Sequence, residues 1–230
     1  VLMAMGIRHV YALMSFGLCM FVTWTIVSEF IKGAGALRAK NAMNWFSAMW
    51  ELTHRNTRRY GGYLVHMGIV IMFIGFTGSA FNQDKTVEVP IGGTFDIGRY
   101  TIKVGELESG RNSNYQYGKL PLHISANGED LGVMKPEKRF YFASEQPSSE
   151  VRIRRRLNED LYLNFAGQSN QEDSKKVVVQ AYVFPLVTWI WIGYWATVFG
   201  TLICLIPSKV QRVYLKTEVV GVAPSAHARV

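Results

Sequence analysis

The sequence predicts a membrane α-helical chain of three transmembrane helices, with an extracytoplasmic all-β domain inserted between the second and third. Three observations carry this. Three apolar runs are each long enough to cross a bilayer, which takes about 20 helical residues. The stretch between the second and third runs alternates apolar and polar residues with period two. The charge is also unevenly placed: residues 82–182 hold 14 Lys/Arg and 14 Asp/Glu, whereas the remainder holds 11 and 3. The whole formal excess of +8 therefore flanks apolar segments. That pattern is the mark of membrane topology and argues against a nucleic-acid partner.

The first helix occupies 10–31 within a leading segment 1–31, with Glu29 at its edge, in reach of headgroups. A connecting loop, 32–60, follows. The second span covers 61–81, the inserted domain 82–182, the third span 183–206 and a tail 207–230. Pro185 falls in the first turn of the third helix, where its missing N–H does no harm. Tyr182, Trp189, Trp191, Tyr194 and Trp195 crowd that end like an interfacial aromatic belt.

Lys and Arg set the orientation. The loop carries Lys32, Arg38, Lys40, Arg55, Arg58 and Arg59, the tail Lys209, Arg212, Lys216 and Arg229, and the N-terminal flank only Arg8. Loop and tail are then cytoplasmic, with the N-terminus and residues 82–182 outside. A first apolar run too long for a signal peptide, and a start at Val1, suggest a fragment or one product of a split gene. Within the loop, residues 41–57 read as an amphipathic helix lying in the membrane interface. Its apolar surface comes from Ala42, Trp45, Phe46, Met49, Trp50 and Leu52. His54 reads as a solvated surface histidine.

Residues 94–104 alternate around Phe95, Ile97, Ile102 and Val104, as a strand does. Residues 120–125 and 131–134 flank Asn127-Gly128, a hairpin signature. Residues 139–142, 161–165 and 177–182 are further strands, giving a compact antiparallel sandwich or barrel-like domain. Tyr115, Tyr117, Phe140 and Tyr141 are expected in its core, His123 as a structural strand residue, and Arg152, Arg154, Arg155 and Arg156 on a solvated strand edge. Cys19 and Cys204 lie in apolar runs as inert thiols. No nucleophile triad, carboxylate pair or phosphate loop can be argued.

His66 is the residue with chemical promise. It lies about five residues, or roughly 8 Å, inside the second span, where ionisable groups are rare and functional by default. Its side chain leans toward the helix N-terminus, over Gly62, and a bare glycine there leaves room for the edge of a flat ligand. Gly61, Gly68 and Gly75 recur every seven residues on a different face and suit close helix packing. Three readings stay open: an interhelical hydrogen bond, an axial ligand to haem iron, or a proton relay. A proton path would want a chain of ionisable groups, which these spans lack. No other span holds an interior histidine, and His9 lies near the opposite face, so a second axial ligand would come from outside this chain.

The run Arg58-Arg59-Tyr60-Gly61-Gly62-Tyr63-Leu64-Val65-His66 with Gly68 is followed by Glu137-Lys138-Arg139-Phe140-Tyr141. Then come Asp160-Leu161-Tyr162 and Pro185-Leu186-Val187-Thr188-Trp189-Ile190-Trp191-Ile192-Gly193. In that order they resemble the C-terminal third of the CcmF family, with its NrfE-type relatives: membrane haem lyase components of the System I cytochrome c maturation pathway. The resemblance implies a bacterial inner-membrane protein in which the histidine at His66 is one of two axial ligands of a transmembrane haem b. It implies that Gly62 clears the ring and that Arg58 or Arg59 meets propionates or lipid phosphates. It implies as partners the remainder of CcmF or a split-gene subunit, holo-CcmE, CcmH, apocytochrome c with its CxxCH motif, and membrane lipid. The tryptophan-rich segment of the family is missing here, so the chain is not expected to work alone as a lyase. The alternative is a non-catalytic scaffold whose β domain holds other maturation proteins.

Overall fold

A computed structural model of the chain describes residues 9–41, 43–168 and 176–207. Arg8, Ala42 and the tail cations Lys209, Arg212, Lys216 and Arg229 lie outside them. The chain divides into a helical unit, which runs through Thr77 and resumes at Trp189, and a β unit, Gly78–Thr188.

In the helical unit, α1 (Val10–Asn41) is followed by α2 (Trp45–Arg55) and α3 (Thr57–Thr77), and α4 (Val187–Leu205) completes the set. Among the described residues, three helices, with α3 continued by a 3-10 turn to Phe81, are long and apolar enough to cross a membrane. The first runs ten residues beyond the expected end at Ile31, because Lys32–Asn41 holds no proline, Ala34, Ala36, Leu37 and Ala39 offset Gly33 and Gly35, and its last turn carries Arg38 and Lys40, which suit the negative end of the dipole. The interfacial helix is shorter than the expected 41–57. Phe46 and Trp50 on it are exposed, while Ala48 and Leu52 pack with Ala34, Leu37 and Tyr60.

Helices α1 and α3 run antiparallel. Ser15 Oγ lies 2.5 Å from Thr77 Oγ1, and the Cys19 thiol donates to the Val70 carbonyl at 3.8 Å. Helix α4 also runs antiparallel to α3. The Thr57 hydroxyl donates to Ile206 O at 2.6 Å and the Cys204 thiol to Arg58 O at 3.7 Å. Glycines set this second approach. A Cβ at Gly61 would meet Cys204 Sγ at 2.7 Å, one at Gly193 would meet Gly68 O at 2.5 Å, and one at Gly200 would meet Val65 N at 2.7 Å. Without side chains between them the backbones touch, which is how helices associate in lipid.

The β unit holds three four-stranded antiparallel sheets. The first is ordered β1 (Gln83–Pro90), β12 (Lys176–Pro185), β11 (Glu159–Gln168) and β10 (Arg152–Arg154). The second is β2 (Thr94–Ile97), β3 (Tyr100–Val104), β6 (Leu122–Ala126) and β7 (Glu129–Met134). The third is β4 (Glu108–Arg111), β5 (Tyr115–Lys119), β8 (Glu137–Tyr141) and β9 (Gln146–Glu150). Period-two alternation makes one core: Ile102, Val104, Leu122 and Ile124 from the second sheet bury against Leu161, Leu163, Val177, Val179 and Val183 from the first. Residues 94–104 form two strands, because Gly98 at φ +55° turns the chain between β2 and β3. Asn127 (φ +51°) and Gly128 (φ +84°) close the β6–β7 hairpin, the double positive φ of a type I′ turn.

Two expectations are corrected. Pro185 ends β12, paired with Glu159, and is not helical; the inward alternation through Val183 keeps the strand going, and Leu186 at φ +63° makes the turn into α4. The four aromatics expected in the core stand outside it: Phe140 is 44% exposed and Tyr115, Tyr117 and Tyr141 are half-buried on the third sheet.

Candidate functional site

The helical period distributes α3 into three faces. Tyr63, Val70 and Thr77, seven residues apart, turn toward α1, where Tyr63 meets Phe30 and the other two make the hydrogen bonds above. Gly61 and Gly68 turn toward α4. The remaining stripe is exposed: His66, Ile69 (39%), Phe73 (51%) and Phe76 (51%), with half-buried Gly62 at its head. It is an apolar face bearing a single ionisable group, and no helix among the described residues covers it.

His66 Nδ1 stands 2.8 Å from Gly62 O. A carbonyl only accepts, so Nδ1 carries the proton and donates. That leaves Nε2 as the ring nitrogen able to present a lone pair to a metal. A metal-binding histidine is commonly fixed this way, its second nitrogen donating to a carbonyl while the first faces the metal. A Cβ built at Gly62 has nothing within 4 Å, so the helix flank one turn before His66 is open. Among the described residues no three His, Cys, Asp or Glu side chains gather as a metal site. A metal held by His66 would bring its other ligands with it. The residues present therefore fit a haem, which brings ligands of its own and would need one from this chain.

The two arginines lie elsewhere. Arg59 sits at the first turn of α3, seven residues or about 10 Å before His66 along the axis. Its guanidinium pairs with Glu29 at 2.6 Å, donates to Tyr63 OH at 3.2 Å and lies 5.8 Å from the ring centres of Tyr60 and Tyr63. Glu29, expected to face headgroups, instead ties α1 to α3. Arg58 is exposed. The structure thus brings His66 and Gly62 together and places the arginines at the end of the same helix. The Glu29–Arg59–Tyr63 network was not read from the sequence, though an acid and a base at matching ends of consecutive antiparallel spans is a signal that could have found it. His54, expected to be solvated, is half-buried with its Nδ1 unpartnered. His123 is exposed on β6, and Arg152 is exposed on edge strand β10 as expected, whereas Arg154 on the same strand is half-buried and donates to the Leu131 carbonyl at 2.7 Å.

Comparison with known proteins follows the same outline. Residues 80–185 match the family model described as the CcmF C-terminal β-sandwich. The chain is 30% identical over 173 residues to the cytochrome c-type biogenesis protein CcmF of Haemophilus influenzae, covering 69% of this chain and 26% of that protein. It is 27% identical over 165 residues to CcmF of Pseudomonas aeruginosa, covering 71% and 24%. The cytochrome c-type biogenesis protein NrfE of Haemophilus influenzae matches at 23% over 160 residues, covering 68% and 25%. The chain spans about a quarter of the length of these relatives. Among solved structures, one titled Cytochrome c Heme Lyase CcmF shares the fold at TM-score 0.58 and 14% identity, covering 80% of this chain and 34% of that one.

Proposed function

Since this chain corresponds to the C-terminal part of the CcmF-type cytochrome c biogenesis proteins, we propose that it is part of a membrane haem lyase of cytochrome c maturation and supplies one axial ligand, His66, to a transmembrane haem b. The observation that carries this is the His66–Gly62 pair: an imidazole in a membrane-length helix, its Nδ1 engaged by a carbonyl at 2.8 Å, Nε2 left to bind, and open space at Gly62 one turn away. The exposed stripe through Ile69, Phe73 and Phe76 gives the flat ligand an apolar wall below the ligating nitrogen.

The chemistry the group supplies when bound is one-electron transfer, which in this reading keeps the incoming haem reduced. His66 would hold the iron through Nε2 while donating from Nδ1 to the Gly62 carbonyl. Gly62 leaves clearance for the macrocycle. Glu29 holds Arg59 at the helix start, and Arg58 lies one residue earlier in reach of a propionate or lipid phosphate. The second axial ligand comes from outside this chain, from the remainder of a CcmF-type protein or a partner subunit. Holo-CcmE, CcmH and apocytochrome c are the partners of the complete assembly, and this chain alone is not active. The basic residues at the inner helix ends support placement in the bacterial inner membrane with the β unit in the periplasm.

The test is haem content. Co-purified with the segments that complete the relatives' length, the protein should show a stoichiometric b-type absorption band that His66→Ala removes. A full band in that variant would defeat the reading and favour the alternative of a non-catalytic scaffold.

A further inference from the structure

The Glu137-Lys138-Arg139-Phe140-Tyr141 run plays no part in the haem reading, yet it builds an ordered surface in the β unit. Strands β5 and β8 pair so that Tyr115 faces Tyr141, Tyr117 faces Arg139 and Lys119 faces Glu137. The strand period puts all six side chains on one face of the third sheet. The opposite face, at Gly118, turns to Phe165 in the core, so this one points away from it.

The face is tightly organised. Tyr115 lies 5.2 Å from Tyr141 and 6.0 Å from Tyr117, centre to centre. The Arg139 guanidinium lies 4.9 Å over Tyr115 and the Lys119 ammonium 4.7 Å over Tyr117. Gly110 on neighbouring β4 sits under the Tyr117 ring, where a Cβ would come within 2.5 Å of it. On the same face, the buried Glu137 carboxylate meets Arg139 at 2.9 Å and Lys119 and Arg152 at 3.5 Å each. Burial pushes the Glu137 carboxyl up, but Arg139 and Lys119 outweigh it and hold it below the usual carboxylate range. The negative charge is thus inside and the cations outside: Glu137 is 4% exposed, whereas the Lys119 and Arg152 side chains are 33% and 48% exposed. Glu150, 3.5 Å from Arg139, offsets only one more of the three.

None of these residues belongs to the apolar core, so packing does not require tyrosines and arginines here. Tyrosine and arginine are the residues that dominate protein interfaces. Rings and guanidiniums already fixed by their neighbours lose little entropy on binding. We propose that this face of the third sheet is a docking surface for an acidic, extended segment of a partner protein, whose carboxylates meet Lys119, Arg139 and Arg152 while its backbone crosses the tyrosine rings. The inference stands apart from His66 and haem.

The test uses the full chain in nanodiscs of zwitterionic lipid and fluorescence anisotropy. The probe is a fluorescein-labelled peptide of alternating glutamate and serine, with a lysine–serine peptide for comparison. The acidic peptide alone should bind. Lys119→Gln and Arg139→Gln should each weaken it about tenfold, a change of about 1.4 kcal/mol, and Arg155→Gln, outside the cluster, should not. Arg139 is the closest cation to Glu137, at 2.9 Å against 3.5 Å for Lys119, so Lys119→Gln decides if the Arg139 variant misfolds. No binding, equal binding of both peptides, equal loss in Arg155→Gln, or preference for vesicles of anionic lipid over the peptide would overturn the proposal.

Discussion

His66 Nδ1 and the Gly62 carbonyl, one helical turn apart on α3, stand 2.8 Å from one another. The bond fixes Nδ1 as the donor and gives the ring one direction, and the glycine at its other end leaves the flank of the helix bare. Structural and ligand-binding roles for Gly62 therefore separate cleanly.

Gly62→Leu should leave the protein folded. Nothing lies within 4 Å of a Cβ at that position, and leucine is a better helix former than glycine by up to about 1 kcal/mol. Thermal stability and helical content should hold or rise while b-type haem is lost. Retention of haem in this variant would mean that the ring does not pass over residue 62.

Gly68→Val should do the reverse. A Cβ at Gly68 would overlap Thr197 and come within 2.8 Å of Gly193 O, so α3 and α4 must part. Overpacking of this kind costs about 1–3 kcal/mol. The check is a lowered melting temperature in detergent, whether or not haem is present. A variant as stable as the parent would contradict the glycine-mediated approach of the two helices.

The Glu137 cluster predicts a pH dependence confined to the β unit. Burial raises this carboxyl and its cations lower it further, so its folded pKa lies below the ordinary value. Its ionised form then stabilises the fold. That contribution is complete above the ordinary carboxylate range, near about 4.3, and fades as pH falls through the lower folded value. Glu137→Gln should lower stability at neutral pH and flatten its fall in acid. The comparison is thermal unfolding of both proteins as a function of pH.

Much of this architecture is legible in the sequence, because it rests on patterns that lipid and sheet geometry impose directly. Apolar length marks the three spans, period-two alternation marks β2, β3 and β12, and Asn127-Gly128 marks the hairpin. Glycines seven residues apart forecast the α3–α4 approach. Where the reading slipped, two signals overlapped. The apolar run of β12 continues into that of α4, and only the positive φ of Leu186 separates strand from helix. Of the third sheet only β8 is marked as a strand, because β4, β5 and β9 are short and largely polar. Its tyrosines look like core residues until the register shows that they share a face with Lys119, Arg139 and Glu137. At the candidate site, the lean of His66 over Gly62 follows from helix geometry alone. The capture of Arg59 by Glu29 depends on how two spans register, which one chain's periodicity does not reveal.

The claim that His66 ligates iron is most directly tested by chemical rescue. In the assembled protein, His66→Gly should lose the b-type band in the reduced-minus-oxidised spectrum, and added imidazole should restore it by filling the vacated position. A band that survives the substitution, or one that imidazole does not bring back although the protein remains folded, would contradict ligation by His66.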